Sequence, residues 1–225
     1  MSRLLVLGFV VALAGCKKDA PAPPAPVAQP KSTAEADAAF WAWVRAHLAE
    51  LQQVKTGREP VTAELTAQLE KIEPGLVFEL GVGHEPFEFI ISADGSVERF
   101  ATVKRLVAAA GELPGTKVIA FRPRKDIDGF SMTLGTQKLG GSSLWFTAQK
   151  DQKPGLIAVT VYVEGMTGEL PEPVRNAAFM LLEAAVGEFD LETKIGAIDI
   201  VAAPEKPAPP LRKLKELPAV IDGWK

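Results

Sequence analysis

The sequence predicts an α+β fold: a mixed, mostly antiparallel sheet from two ββαβ-like units with helices packed on it, preceded by two N-terminal helices. Three observations carry that reading. Apolar residues recur at helical spacing over 34–56 and again over 60–73. Period-2 runs then take over, giving strand, strand, helix and strand between Leu76 and Arg122. The same order returns between Ser143 and Ala202, with the helices starting at Val97 and Glu172. No sequence identity accompanies this repeat, so it is one of architecture. A hairpin plus one crossover helix per unit makes a sheet with helices on a face.

The chain opens with a segment of a different kind, expected over 1–15. Arg3 is followed by an apolar run from Leu4 to Leu13, then by Ala14, Gly15 and the single cysteine, Cys16. Charge, short apolar run and small residues make a secretory signal, too short to span a bilayer. Leu13-Ala14-Gly15-Cys16 resembles the lipobox of bacterial lipoproteins. That resemblance implies thioether attachment of diacylglycerol to Cys16, palmitate among its acyl chains, and cleavage before the cysteine. Two acyl chains, at about 0.8 kcal/mol per buried CH₂, would anchor stably in a membrane. Lys17-Lys18 stand where lipoprotein sorting reads an aspartate for retention in the inner membrane, so the resemblance leans to the outer membrane. From Cys16 to Thr33 the chain is a tether rich in Pro and Ala, with Pro21, Pro23, Pro24, Pro26 and Pro30. Extended at about 3.1 Å per residue, it would reach roughly 50 Å. It has nothing large to bury and cannot form a core.

Composition allows one real core. The chain is 47% hydrophobic, and no second cysteine exists to form a disulfide. Loss of the signal takes one arginine from 25 basic residues set against 28 acidic, moving the formal charge from −3 to −4. An acidic surface of this size argues against nucleic acid as a partner.

The first helix is capped by Ser32 or Thr33 and ended by Gly57 and Pro60. Phe40, Trp43, Val44, His47, Leu48, Leu51 and Val54 share one broad face, which predicts deep burial. His47 is therefore expected among core side chains. Pro60 starts the second helix and Pro74-Gly75 ends it. Leu76, Phe78, Leu80 and Val82 alternate with polar or small residues, as do Phe87, Phe89 and Ile91 after a turn at Gly83–Pro86. Phe100, Val103, Leu106, Val107 and Ala110 give the next helix one clean buried face, and Thr116–Arg122 is its following strand. A loop leads through Phe130–Leu134 into the second set. Strands are expected at Ser143–Gln149 and Leu156–Val163, a helix at Glu172–Val186 ended by Gly187, and a strand at Ala197–Ala202. One domain thus spans 34–203, and 204–225 reads as a proline-rich link with a basic, weakly helical tail.

Phe40-Trp41-Ala42-Trp43, Ile91–Gly95, Ala120–Arg124 and Leu181–Glu188 occur in an order similar to a bacterial family of uncharacterised domains. The resemblance covers most of 38–202 and implies one continuous domain. It transfers no activity.

The sequence holds no cofactor motif and, with two histidines and one cysteine, no thiol or histidine set for a metal. Gly81-Val82-Gly83 lies in a hairpin, with no helix start behind it to hold a phosphate. Glu183, Glu188, Asp190 and Glu192 gather around the end of the Glu172–Val186 helix, and those beyond its C-terminus face the unfavourable end of its dipole; a hard cation such as Ca²⁺ would suit them, but no calcium-loop spacing is present and Lys194 or Arg175 is expected to pair them. Arg122 and Arg124 are the candidate anion contact. The leading expectation is a non-catalytic binding or scaffolding module, anchored through lipid in the cell envelope, with an envelope protein as partner. The alternative is an envelope hydrolase working through Glu and Asp. The candidate partner surface is Trp145 with Tyr162. If their strands pair, both point to the more polar face of the hairpin, opposite Leu144, Phe146, Val159 and Val161. The competing expectation is that the N-terminal helices cover this face and make Trp145 core.

Overall fold

The computed structural model describes residues 32–134, 137–205 and 211–224. The signal segment, Cys16, the tether up to residue 31 and part of the proline-rich link lie outside them.

Helix α1 (Thr33–Leu51) begins at a capping box. The Glu35 N–H donates to Ser32 Oγ at 3.3 Å, and the Ser32 N–H donates back to the Glu35 carboxylate at 2.9 Å. Helix α2 (Pro60–Ile72) starts on a proline, whose missing N–H is no loss in a first turn. Between them the Glu59 carboxylate accepts the N–H groups of Lys55 and Thr56, at 2.8 and 2.9 Å. Those bonds pull its pKa down to about 2 and lock the turn.

The first ββαβ unit follows as β1 (Val77–Gly81), β2 (Phe87–Ser92), α3 (Phe100–Ala108) and β3 (Thr116–Ala120). Strand β1 pairs antiparallel with β2, and β3 pairs parallel with β2, the crossover being α3. Phe87, Phe89 and Ile91 point to one face, where α1, α2 and α3 form a helical layer. Trp41 is fully buried there, and its indole N–H donates to the Leu106 carbonyl at 2.7 Å. An unpartnered indole would be a liability at that depth, so this bond fixes how α1 crosses α3.

The second unit carries its own sheet. It comprises β6 (Leu144–Lys150), β7 (Ile157–Val163), α4 (Glu172–Val186), the short α5 (Glu188–Lys194) and β8 (Ile195–Ala202). A hairpin of β4 (Ser131–Leu134) and β5 (Gln137–Gly140) precedes it. After it come β9 (Arg212–Lys213) and α6 (Leu217–Gly223). The strand order is β8-β7-β6-β9, antiparallel except for the parallel β7–β8 pair. Strand β7 alternates strictly, with Ile157, Val159, Val161 and Val163 buried against α4. The topology of the first unit is thus repeated: hairpin, helix, parallel strand.

The expected α+β class and the two ββαβ units are present, but each unit has a separate sheet. The physical reason lies just after β3. Phe121 takes a left-handed φ of 67° and turns the chain out of the sheet. The Lys125 N–H then donates to the Ala184 carbonyl at 2.7 Å, so the segment caps the end of α4 instead of extending a strand.

Four further expectations change. His47 is half-buried, stacked on Trp43 with ring centroids 4.2 Å apart and Nδ1 2.9 Å from the Trp43 carbonyl oxygen; Leu48 sits beside it at the edge of the core. The buried stripe of α1 is narrower, running through Phe40, Trp41, Val44 and Leu51. The stretch from 211 is no tail: β9 joins the sheet, and Leu214, Leu217 and Ile221 enter the second core. Finally, α1 and α2 pack on the first sheet and leave the outer face of the second uncovered by them.

Candidate functional site

The outer face of the second sheet is built by register. Trp145 lies directly opposite Tyr162 on β6 and β7, Tyr162 opposite Val201 on β8, and Trp145 opposite Lys213 on β9. Opposed residues share a face, so Val201, Tyr162, Trp145 and Lys213 form one row across four strands. Asp199, Thr160 and Thr147 form the next row. The opposite faces of these strands hold Phe146, Val161 and their core neighbours.

Trp145 is held in place on this face. Its indole N–H donates to Glu164 at 3.0 Å, and the Lys213 ammonium lies 3.5 Å from its ring centroid. A cation over an indole is worth about 0.5–1 kcal/mol at an exposed site. Lys213 also donates to the Ser142 carbonyl at 2.6 Å, and Thr147 Oγ1 and Tyr162 OH are 3.4 Å apart. The result is a partly exposed platform of two aromatics and two threonines, with Asp199, Glu164 and Lys213 around it. Sequence reasoning found Trp145 and Tyr162 by alternation. It missed Lys213, because residues 211–225 read as a tail. The spacing of Leu214, Leu217 and Ile221, one helical face, was the available signal.

Arg122 and Arg124 occupy a different place, the joint between the two units. Arg122 donates through Nε to Glu79 at 2.6 Å, through Nη2 to Asp94 at 3.1 Å and through Nη1 to Glu183 at 3.2 Å. Burial works against its charge, but Glu79, Asp94 and Glu183 outweigh burial and raise its pKa. Arg124 grips Asp222 at 2.7 and 2.8 Å, pairs with Asp190, and donates from Nε to the Val186 carbonyl at 3.1 Å. Its pKa is raised by Asp222 first and Asp190 second, against the cost of desolvation. The anions these arginines meet are therefore the chain's own carboxylates.

The acids after α4 also find their place here. Gly187, with a φ of 81°, ends α4, and α5 begins at once, so Glu188 and Asp190 sit in a helical first turn, the favourable end of a dipole. Sequence reasoning took them for the wrong end because seven residues are too few to show a helical period. Glu188 is 1% exposed. One carboxylate oxygen accepts the N–H groups of Ala93 and Gly95 at 2.9 and 3.3 Å; the other accepts that of Arg122 at 3.0 Å. These amides flank Asp94 and Phe121, which hold left-handed φ values of 51° and 67°. One side chain of the second unit thus pins two strained turns of the first. Phe189 follows it into a cluster with Phe100 and Phe121, at centroid distances of 5.5 and 5.3 Å. Lys194 pairs with Asp190 at 3.0 Å as expected, whereas Arg175 pairs with Glu169.

Among the described residues, no group of three or more His, Cys, Asp or Glu side chains is arranged to hold a metal ion. No described helix is long and apolar enough to cross a membrane. An open cleft of about 1080 Å³ lies beside the first sheet, bounded by Ile90, Ile119, Phe130, Lys55 and Lys117. No family model, curated protein or solved structure matches the chain, which leaves its own sequence and geometry to carry a functional reading.

Proposed function

We propose that the chain is a lipid-anchored binding module of the bacterial cell envelope, without catalysis, that holds a protein partner on the outer face of its second sheet. The observation that carries the reading is the row from Val201 to Lys213, where Trp145 is fixed by Glu164 and Lys213 on a face that α1 and α2 leave open. Tryptophan and tyrosine supply large contact area with few rotatable bonds, which is why they concentrate binding energy. The lipobox-like Leu13–Cys16 and the Pro/Ala tether support anchoring, and Lys17-Lys18 favour the outer membrane. A hydrolase acting through acids gains little from the strongest acid cluster: Glu183, Glu188 and Asp190 are engaged in the joint between the units.

The test is a pair of full-length variants expressed in cells. Cys16→Ala should lose palmitate label and membrane association. Trp145→Ala should keep both, and keep its fold, yet lose the protein captured by a short crosslinker in the envelope. Undiminished labelling of the first variant sinks the anchor, and undiminished capture by the second sinks the face.

A further inference from the structure

Strand β8 is the feature the platform does not explain. It lies at the edge of the second sheet, paired only with β7 among the described residues. The other edges are short: β9 is two residues long, β4 and β5 are four each, and β1 and β3 are five each and carry Glu79 and Lys117. Strand β8 is eight residues, Ile195–Ala202, with Asp199 its single charge and no proline or lysine. Natural sheets avoid such an edge, because its unpaired N–H and C=O groups template another strand. One protective device is present at its start. Ile195 opposes Ile157 while Ile198 opposes Val159, so β8 carries an extra residue there and bulges. From Ile198 to Ala202 the pairing is regular and the far edge has no partner among the described residues.

We propose that this edge pairs with the same edge of a second copy, antiparallel, about a two-fold axis at Ile200. The occupant follows from the side chains. Opposed residues must share a face, so the allowed registers are centred on a single residue. Centring on Asp199 sets two carboxylates face to face, which disfavours pairing. Centring on Ile198 draws the bulge into the ladder. Centring on Ile200 does neither: Ile198 opposes Ala202 of the second copy, Asp199 opposes Val201, and Ile200 opposes itself. Ile200 already packs against the second core, so its two copies lie side by side over α4. Val201, 40% exposed, gains a neighbour. The two sheets become one of eight strands, with both Trp145–Tyr162 rows on one outer face. A two-fold contact of this kind closes on itself and leaves no growing edge. The pairing stands whether or not the outer face holds a partner.

The register makes the test specific. In the full chain, purified in mild detergent, sedimentation velocity should show a concentration-dependent dimer. Val201→Asp places a carboxylate opposite Asp199 twice per dimer and should weaken it roughly tenfold or more. Val201→Lys places an ammonium there and should leave the dimer intact or tighten it. Both substitutions sit on an exposed side chain, and an unchanged urea midpoint at a concentration where every form is monomeric verifies the fold. Hydrogen exchange on the unmodified chain needs no variant: amides in 198–202 should slow as concentration rises. A monomer up to the solubility limit, a dimer indifferent to Val201→Asp, or slowing of β8 only when an unrelated extended peptide is added would each overturn the proposal.

Discussion

Strands β2 and β7 hold the same place, the centre of a hairpin-helix-strand unit, and are buried differently. Strand β7 alternates buried and half-buried residues along its whole length. Strand β2 is buried at five of its six positions, including Ile90 and Ser92, which point away from the helices. The difference lies in what borders each outer face. Ile90 shares the wall of a cleft with Pro123–Asp126 and Phe130, on the way to the second unit, while α1 and α2 pack on the first core. The aromatics divide accordingly. Phe40, Trp41, Phe87, Phe89 and Phe100 fill the first core; the second is Leu, Ile, Val and Ala around Phe146, with Trp145 and Tyr162 outside. The same topology can spend its large rings on a core or display them, and the neighbouring segments decide which.

The sharpest break of this comparison truncates one tryptophan in each unit. Trp41→Ala removes a fully buried ring and its hydrogen bond to the Leu106 carbonyl, which keeps the Ala109 N–H, and should destabilise by about 3–5 kcal/mol. Trp145→Ala removes a half-exposed ring and its cation, and should lose about 1 kcal/mol. Urea unfolding followed by circular dichroism measures both. Equal losses would mean the second outer face is covered in solution.

The next largest effect concerns the joint that binds the two units. Glu188→Gln keeps the shape but replaces one acceptor oxygen by an amide nitrogen, which cannot accept from Ala93 and Gly95 on one side and Arg122 on the other. At least one buried N–H then lacks a partner, at about 2 kcal/mol. Amide shifts should move at Ala93, Gly95 or Arg122 and stay put in β6 and β7. A loss under about half a kcal/mol, the size of an ordinary surface change, would show the turns at Asp94 and Phe121 to be held by their own unit.

How much of this was legible beforehand follows from how locally each feature is encoded. The alternation of β7 and the stripe of α4 are properties of contiguous residues and fix both elements, so the pairing of Trp145 with Tyr162 could be read from the chain. The β4–β5 hairpin could not: Ser131–Leu134 and Gln137–Gly140 are short, polar and glycine-flanked, and look like loop. Which sheet α1 covers depends on contacts between residues far apart in sequence, and its stripe looked wider than it is because His47 and Leu48 lie on the margin. The joint was least legible. Glu188 meets backbone N–H groups nearly a hundred residues earlier, and no side-chain pattern announces a backbone partner.

The smallest expected effect sharpens the picture of that joint. Glu192, on α5, lies over Gly95 without an ion pair among the described residues. Burial first, then the charges of Glu188 and Glu183, raise its pKa above the ordinary carboxylate value. An acid raised in the folded state binds its proton more tightly there than in the unfolded chain. Stability is therefore lost as pH rises from the ordinary carboxylate value through the raised one. Glu192→Gln removes a charge the fold opposes and should stabilise at pH 7 by less than about 0.5 kcal/mol. As pH falls into the range where the wild-type carboxyl is already protonated, the two urea midpoints should converge. Asp222 is the contrast, since Arg124 lowers its pKa and its contribution fades as pH falls. If Glu192→Gln instead destabilises at neutral pH, Glu192 is a working partner in the joint, and the two units are tied by more than Glu188, Phe189 and the two arginines.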